Sequence, residues 1–174
     1  YPMVRGRITS INGSIVVPDN YSNTRAKRLL KREFNLSWAN EIRSDNQIID
    51  GEWWQAIDKG KTVLSLEQGV AKAIGVKLGD TLTFDIAGST FSAEVSSIRK
   101  VDWDSFRVNF FAVTPPGVLE EYPTSYITSF YLPQNRMDMM NQLVIAFPNF
   151  LVIDVATIIT QVQKVIEQVT KAIE

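Results

Sequence analysis

From Thr81 to Val101 the chain alternates between apolar and polar residues in two runs, Thr81 to Ala87 and Thr90 to Val101, joined across Gly88-Ser89. Side chains of a strand point to opposite faces in turn, so two alternating runs across a Gly-Ser pair dictate a β-hairpin. No helical bundle accommodates such a segment, and the rest of the fold must give it sheet partners. Candidates are Met3 to Ile11, closed by the turn signal Asn12-Gly13, and Glu33 to Ala39, with Phe34, Leu36 and Trp38 on one face. A further strand is expected over Val108 to Val113, before Pro115-Pro116-Gly117 breaks the chain. Residues 14–32 read as polar and irregular, and Asp50-Gly51 reads as a turn ahead of Trp53-Trp54. Leu66, Val70, Ala73 and Ile74 have helical spacing, in a short helix opened by Ser65 with Gln68 as its capping-box partner and closed by Gly75.

Beyond Ser125 the pattern changes to strand (Tyr126 to Leu132), helix (Met137 to Ala146), strand (Phe150 to Ile153) and helix (Val155 to Ile173), a βαβ succession punctuated by Pro133 and Pro148. The expected class is therefore α+β. The terminal helix carries a stripe of Val155, Ile158, Ile159, Val162, Val165, Ile166, Val169 and Ile173. β-branched residues are weak helix formers, so this stripe needs a surface to pack on. The sheet of Met3–Ile11, Tyr126–Leu132 and Phe150–Ile153 is the expected one, and Ile159, Val162 and Ile166 are candidates for a stiff coupling helix.

Composition excludes more chemistry than it suggests. The 174 residues contain neither histidine nor cysteine, which removes Ser/His/Asp and Cys/His nucleophilic sites, Cys- or His-ligated zinc and thiolate clusters. A net charge of −1 lacks the cationic excess of nucleic-acid binders. No glycine-rich loop opens a helix to cradle phosphate, so no cofactor is expected. The longest apolar run, Leu143 to Ile153, contains Pro148 and Asn149 and falls short of the about twenty residues a membrane-spanning helix needs. The opening at Tyr1, without an initiator Met, reads as a piece of a longer polypeptide.

Three groups of residues invite a functional reading. Asp102 and Asp104, with Glu94 upstream, have the residue types of a hydrolase or divalent-cation site, yet a strand-end Asp pair is far more often a solvated turn. Ser65 or Ser105 with Lys61 would need a geometry that nothing in the spacing indicates. No catalytic or metal-binding residue is therefore assigned. Arg25, Lys27, Arg28, Lys31 and Arg32 surround Leu29 and Leu30, which fits a solvated linker or short helix better than an anion-binding patch. The aromatic residues cluster more than the charges do. Trp53, Trp54, Phe110 and Phe111 are the candidate interaction surface, since adjacent aromatics on a strand face opposite ways and one of each pair should be less buried.

The segments VRGRITSING (4–13), REFNLSW (32–38), DGEWW (50–54), LEQGVAKAIGVKLGDTLTF (66–84), VDWDSFRVNFF (101–111) and YITSFYLP (126–133) together resemble the large extracytoplasmic domain of FtsX-like ABC transporter permeases of the MacB/LolC/LolE type. That resemblance implies a porter-like α/β module, residues 1–45 plus 124–174 without its initial strand and helix, interrupted by a β-rich, sabre-like insertion over residues 46–123. It implies a non-catalytic periplasmic segment of a bacterial inner-membrane protein. Such a segment works with a cytoplasmic ATPase subunit, through transmembrane helices outside this chain, to move hydrophobic envelope cargo, with a periplasmic partner protein as a further possibility. The alternative is an envelope interaction module that binds a partner protein or polymer through the aromatic β surface.

Overall fold

The computed structural model describes residues 1–105, 107–155, 157–158 and 160–161. Among them are nine strands: β1 (Pro2–Ile11), β2 (Ser14–Ile15), β3 (Phe34–Trp38), β4 (Asn46–Gly51), β5 (Val63–Glu67), β6 (Thr81–Ile86), β7 (Ser89–Val101), β8 (Ala112–Thr114) and β9 (Thr124–Tyr126). The helices are α1 (Thr24–Lys31), α2 (Gln68–Ile74) and α3 (Asp138–Ala146). The chain divides into two compact units, Tyr1–Ser129 and Phe130–Glu174.

The first unit is built on a closed ring of strands. β1 pairs antiparallel with β3, β3 parallel with β8, β8 antiparallel with β5, β5 parallel with β7, β7 antiparallel with β6, and β6 antiparallel with β1. Six strands thus form a barrel without edges, the arrangement that removes open backbone groups most completely. β2 and β9 attach to β1, and β4 attaches to the far end of β7. β6 and β7 are the hairpin expected from sequence, turned by Ala87 (φ 50°) and Gly88 (φ 85°). Two consecutive positive φ values give the turn a twist that matches its strands.

Val4, Ile8, Phe34, Leu36, Leu64, Leu66, Leu82, Phe84 and Val95 are buried together in the main core. Gly6 belongs where it is because a Cβ there would stand 3.0 Å from Ile86 and 3.1 Å from Leu36. In that ring β1 and β3 pair with β6 and β8.

Several local expectations are corrected. Residues 24–31 form α1, capped by Asn23 accepting from the N–H of Arg25 at 2.8 Å, with Ala26, Leu29 and Leu30 buried against the barrel and the cations facing out. Ser65 does not open a helix. It lies in β5, paired with β7 and β8, and Glu67 caps α2 by accepting from Val70 N–H at 2.9 Å, while Gly75 ends the helix at φ 77°. Two flanking strands outweigh a local capping pattern.

The βαβ expectation meets only its helix. α3 lies where expected, but β9 stops at Tyr126 after pairing with Pro2–Val4, and residues 150–153 are not strand. Beyond the Tyr1–Ile127 backbone pair no described strand lies beside residues 128–132, and a strand without a ladder leaves its polar groups to solvent. Val155 and Ile158 are helical and half exposed at 50% and 49%. Ile159, Val162 and Ile166 lie outside the described residues.

Candidate functional site

β4 ends at Gly51 (φ 72°), and the chain leaves the barrel wall at Glu52, whose N–H donates to Ser96 O at 3.4 Å. Residues 53 and 54 are thus outside any strand, and their side chains do not alternate. The two indole rings stack with centroids 3.7 Å apart. Trp53 Nε1 donates to the carbonyl of Asn40 at 3.0 Å and Trp54 Nε1 to that of Ala39 at 2.8 Å, pinning the pair to the segment after β3. Trp54 and Phe110 are buried with Val113 in a second apolar cluster, with Trp53 half-buried at its margin. Phe111 turns the other way. Its ring meets Phe34 edge-on at 5.9 Å and Trp103 at 5.2 Å, and the guanidinium of Arg32 covers it at 5.2 Å. The structure brings Trp53, Trp54 and Phe110 together and places Phe111 elsewhere. Trp103, 45% exposed, is the more accessible ring.

Two depressions flank the tryptophan pair. One, of about 410 Å³, is lined by Asn40, Glu41, Trp54, Gln55, Ala56, Lys59 and Pro116. The other, of about 140 Å³, lies on the Trp53 side and reaches Arg43, Asn46, Arg99 and Phe110. Glu41 borders both.

The floor of the smaller depression is a polar network that sequence reading missed. Arg99 is 1% exposed. Its Nε donates to Asn46 Oδ1 at 2.9 Å, Nη1 to Ser65 O at 2.7 Å, and Nη2 to Phe110 O. Burial lowers its pKa to about 10, with the Glu67 carboxylate opposing that shift, so the guanidinium is charged at neutral pH. Next to it, Asp45, with a side chain 5% exposed, accepts from Arg43 Nε at 3.1 Å, Asn109 Nδ2 at 2.9 Å and Asn46 Nδ2 at 3.2 Å. Arg43 in turn lies 4.4 Å over the Tyr1 ring. One signal was available: on β7, Phe91, Ala93, Val95, Ser97, Arg99 and Val101 share a face, and a charged residue in that register must be buried.

Burial disfavours the Asp45 carboxylate, yet its hydrogen bonds from Arg43 and Asn109 outweigh burial and hold it well below the usual carboxylate range. A depressed carboxylate contributes stability above its unfolded pKa and loses it as pH falls through the folded value. Asp45→Ala is expected to cost about 2–4 kcal/mol near neutral pH, and the gap to the parent should shrink towards about pH 2. Urea denaturation at the two pH values checks this. An equal gap at both would show that the charge contributes nothing.

The remaining candidates are dispersed. Asp102 accepts from Asp104 N–H at 3.1 Å within an exposed turn, and Glu94 sits mid-β7, roughly 25 Å away at the rise of a strand. Ser65 bonds Ser97 Oγ at 2.8 Å, whereas Lys61 pairs with Asp58. In the basic group, Lys31 pairs with Asp19 at 2.9 Å. Among the described residues no group of three acidic side chains is placed to hold a metal, and no helix is long and apolar enough to cross a membrane.

Comparison with known proteins supplies what geometry does not. The chain is 40% identical over 162 residues, 93% of its length, to the uncharacterized ABC transporter permease YbbP of Escherichia coli (strain K12). The chain is a relative of part of a YbbP-type permease. It spans about a fifth of YbbP, 19% of that protein's length. No family model and no solved structure matches the chain. The YbbP similarity takes in nearly the whole chain.

Proposed function

We propose that this chain is a non-catalytic, periplasmic part of an FtsX-like ABC transporter permease of the bacterial inner membrane, which receives motion driven by a cytoplasmic ATPase subunit and applies it to envelope cargo. The observation that carries the reading is the 40% identity to YbbP along 93% of the chain. The barrel suits the role physically. A closed ring of strands with a buried guanidinium holding β4, β5 and β7 together moves as one body, and a body that does not deform passes on displacement that a flexible linker absorbs.

In this reading the coupling residues expected from sequence, Ile159, Val162 and Ile166, carry motion towards the membrane. The cargo is hydrophobic: a lipid, a lipoprotein or another apolar compound. The porter-like division into residues 1–45 plus 124–174, around an insertion over 46–123, belongs to the same proposal.

The topology has a direct test because the chain has no cysteine. Ile57, 85% exposed, becomes a unique reporter as Ile57→Cys in a full-length permease from which any cysteine outside this segment has been removed. Labelling of intact cells by a membrane-impermeant maleimide, with no gain after permeabilisation, is the expected result. Labelling only after permeabilisation of the inner membrane would place the segment in the cytoplasm and end the proposal. A glycine-rich insertion after Glu174 should then leave ATP hydrolysis intact and abolish transport; unchanged transport would remove the coupling role.

A further inference from the structure

The larger depression beside Trp54 has a composition that selects a particular kind of molecule. Its charged side chains are one carboxylate, Glu41, and one ammonium, Lys59, so neither an anion nor a cation is favoured by net charge. Asn40, Glu41 and Lys59 make no side-chain hydrogen bond or ion pair to any described residue, and together they offer donors and acceptors to the same space. Trp54, Ala56 and Pro116 form apolar walls; the indole N–H is already bonded to Ala39 O, leaving Trp54 an apolar contribution.

Part of the backbone around the rim is spent internally. Gly60 N–H donates to Pro116 O at 2.9 Å, Asp58 N–H to Gln55 O at 2.9 Å and Lys59 N–H to Ala56 O at 3.4 Å. An extended peptide docks mainly by a main-chain ladder on a free strand edge, and the rim offers none.

We propose that this cleft binds an oligosaccharide that carries acetamido groups. A sugar ring is uncharged, has apolar C–H faces and is ringed by hydroxyls that both donate and accept, which matches apolar walls with unpaired polar side chains between them. The acetamido group is matched by the side-chain amide of Asn40, which presents donor and acceptor side by side, and by the N–H groups of the Gln55 amide, whose oxygen is taken by the Asp58 backbone N–H. At about 410 Å³ the cleft is within the size range of small-molecule sites. This inference stands apart from the transport reading: it concerns what the chain binds, is tested in solution, and its failure leaves the permease assignment untouched.

The test is an NMR titration of the isotopically labelled chain with triacetylchitotriose up to about 10 mM, with maltotriose and trialanine as comparison ligands. Saturable shifts of the Trp54 indole and the Asn40 and Gln55 side-chain amides are expected with triacetylchitotriose, smaller shifts with maltotriose, and none with trialanine. Asn40→Ala and Lys59→Ala remove exposed side chains without intramolecular partners, so the fold should persist, as unchanged resonances elsewhere would show. Each should weaken binding roughly three- to tenfold by deleting a hydrogen bond to the ligand. Absence of shifts at the highest concentration, equal response to trialanine, or indifference to both substitutions would overturn the proposal. Equal affinity for maltotriose would overturn its acetamido part.

Discussion

Arg99→Ala is expected to cost about 3–5 kcal/mol, seen as a fall of roughly 10–20 °C in the melting temperature of the barrel unit. The size of the effect follows from what the guanidinium touches. It donates to the side chain of Asn46 on β4, the carbonyl of Ser65 on β5 and the carbonyl of Phe110 ahead of β8, while its own backbone belongs to β7. Truncation removes these charge-assisted bonds and leaves carbonyls buried without donors, a penalty larger than the net worth of the bonds themselves.

Arg99→Met separates the two contributions. Methionine refills much of the volume and carries no charge to desolvate, but it donates nothing, so Arg99→Met should recover only the packing share of the loss. Thermal melts of the parent and both variants decide it. If Arg99→Met were as stable as the parent, the carbonyls would not need the guanidinium and the account of this site would be wrong.

Arg99 also shows which parts of the molecule the sequence discloses. Alternation discloses strands, because period two is written into consecutive residues: β1, β3 and the β6–β7 hairpin lie within a residue or two of their expected bounds. Closure of the barrel is different. It depends on β3 lying parallel to β8 and β5 parallel to β7, and pairings between distant segments leave no local trace. α1 was open only as the alternative to a solvated linker, because Ala26, Leu29 and Leu30 are too few to outline a face among the cations around them.

The segment before β8 was read as strand from Val108, but Asn109 holds Asp45 and the Phe110 carbonyl accepts from Arg99. Backbone groups taken by a buried guanidinium are lost to a ladder, so the strand starts at Ala112. In each aromatic pair one ring is less buried than the other: Trp54 and Phe110 are buried, Trp53 and Phe111 half-buried. Trp53 and Trp54 follow a strand instead of lying in one, and the alternation rule that would have split them does not apply.

The turn signal at Asp50-Gly51 has a sharper meaning in three dimensions, and it gives the second large effect. Gly51 has φ 72°, in the left-handed region that side chains rarely adopt. A Cβ there would overlap the carbonyl oxygen of Ser96 and stand 3.0 Å from Ser97 Cα, so the obstacle is backbone of the neighbouring strand and cannot rotate away. Gly51→Ala therefore combines conformational strain with displacement of β4 from β7, and about 2–4 kcal/mol is expected.

Gly88→Ala is the control. Gly88 has a similar φ of 85° but nothing within 4 Å of its Cβ position, so strain alone should cost about 1–2 kcal/mol. The loss at Gly51 should also spread, because β4 carries Asn46, which Arg99 and Asp45 both bind. Amide exchange should accelerate across β4 and around Asn109 in Gly51→Ala and remain at the parent rate there in Gly88→Ala. Equal destabilisation by the two substitutions would mean that β7 yields to the extra carbon, and that the strand pair is softer than a force-transmitting body requires.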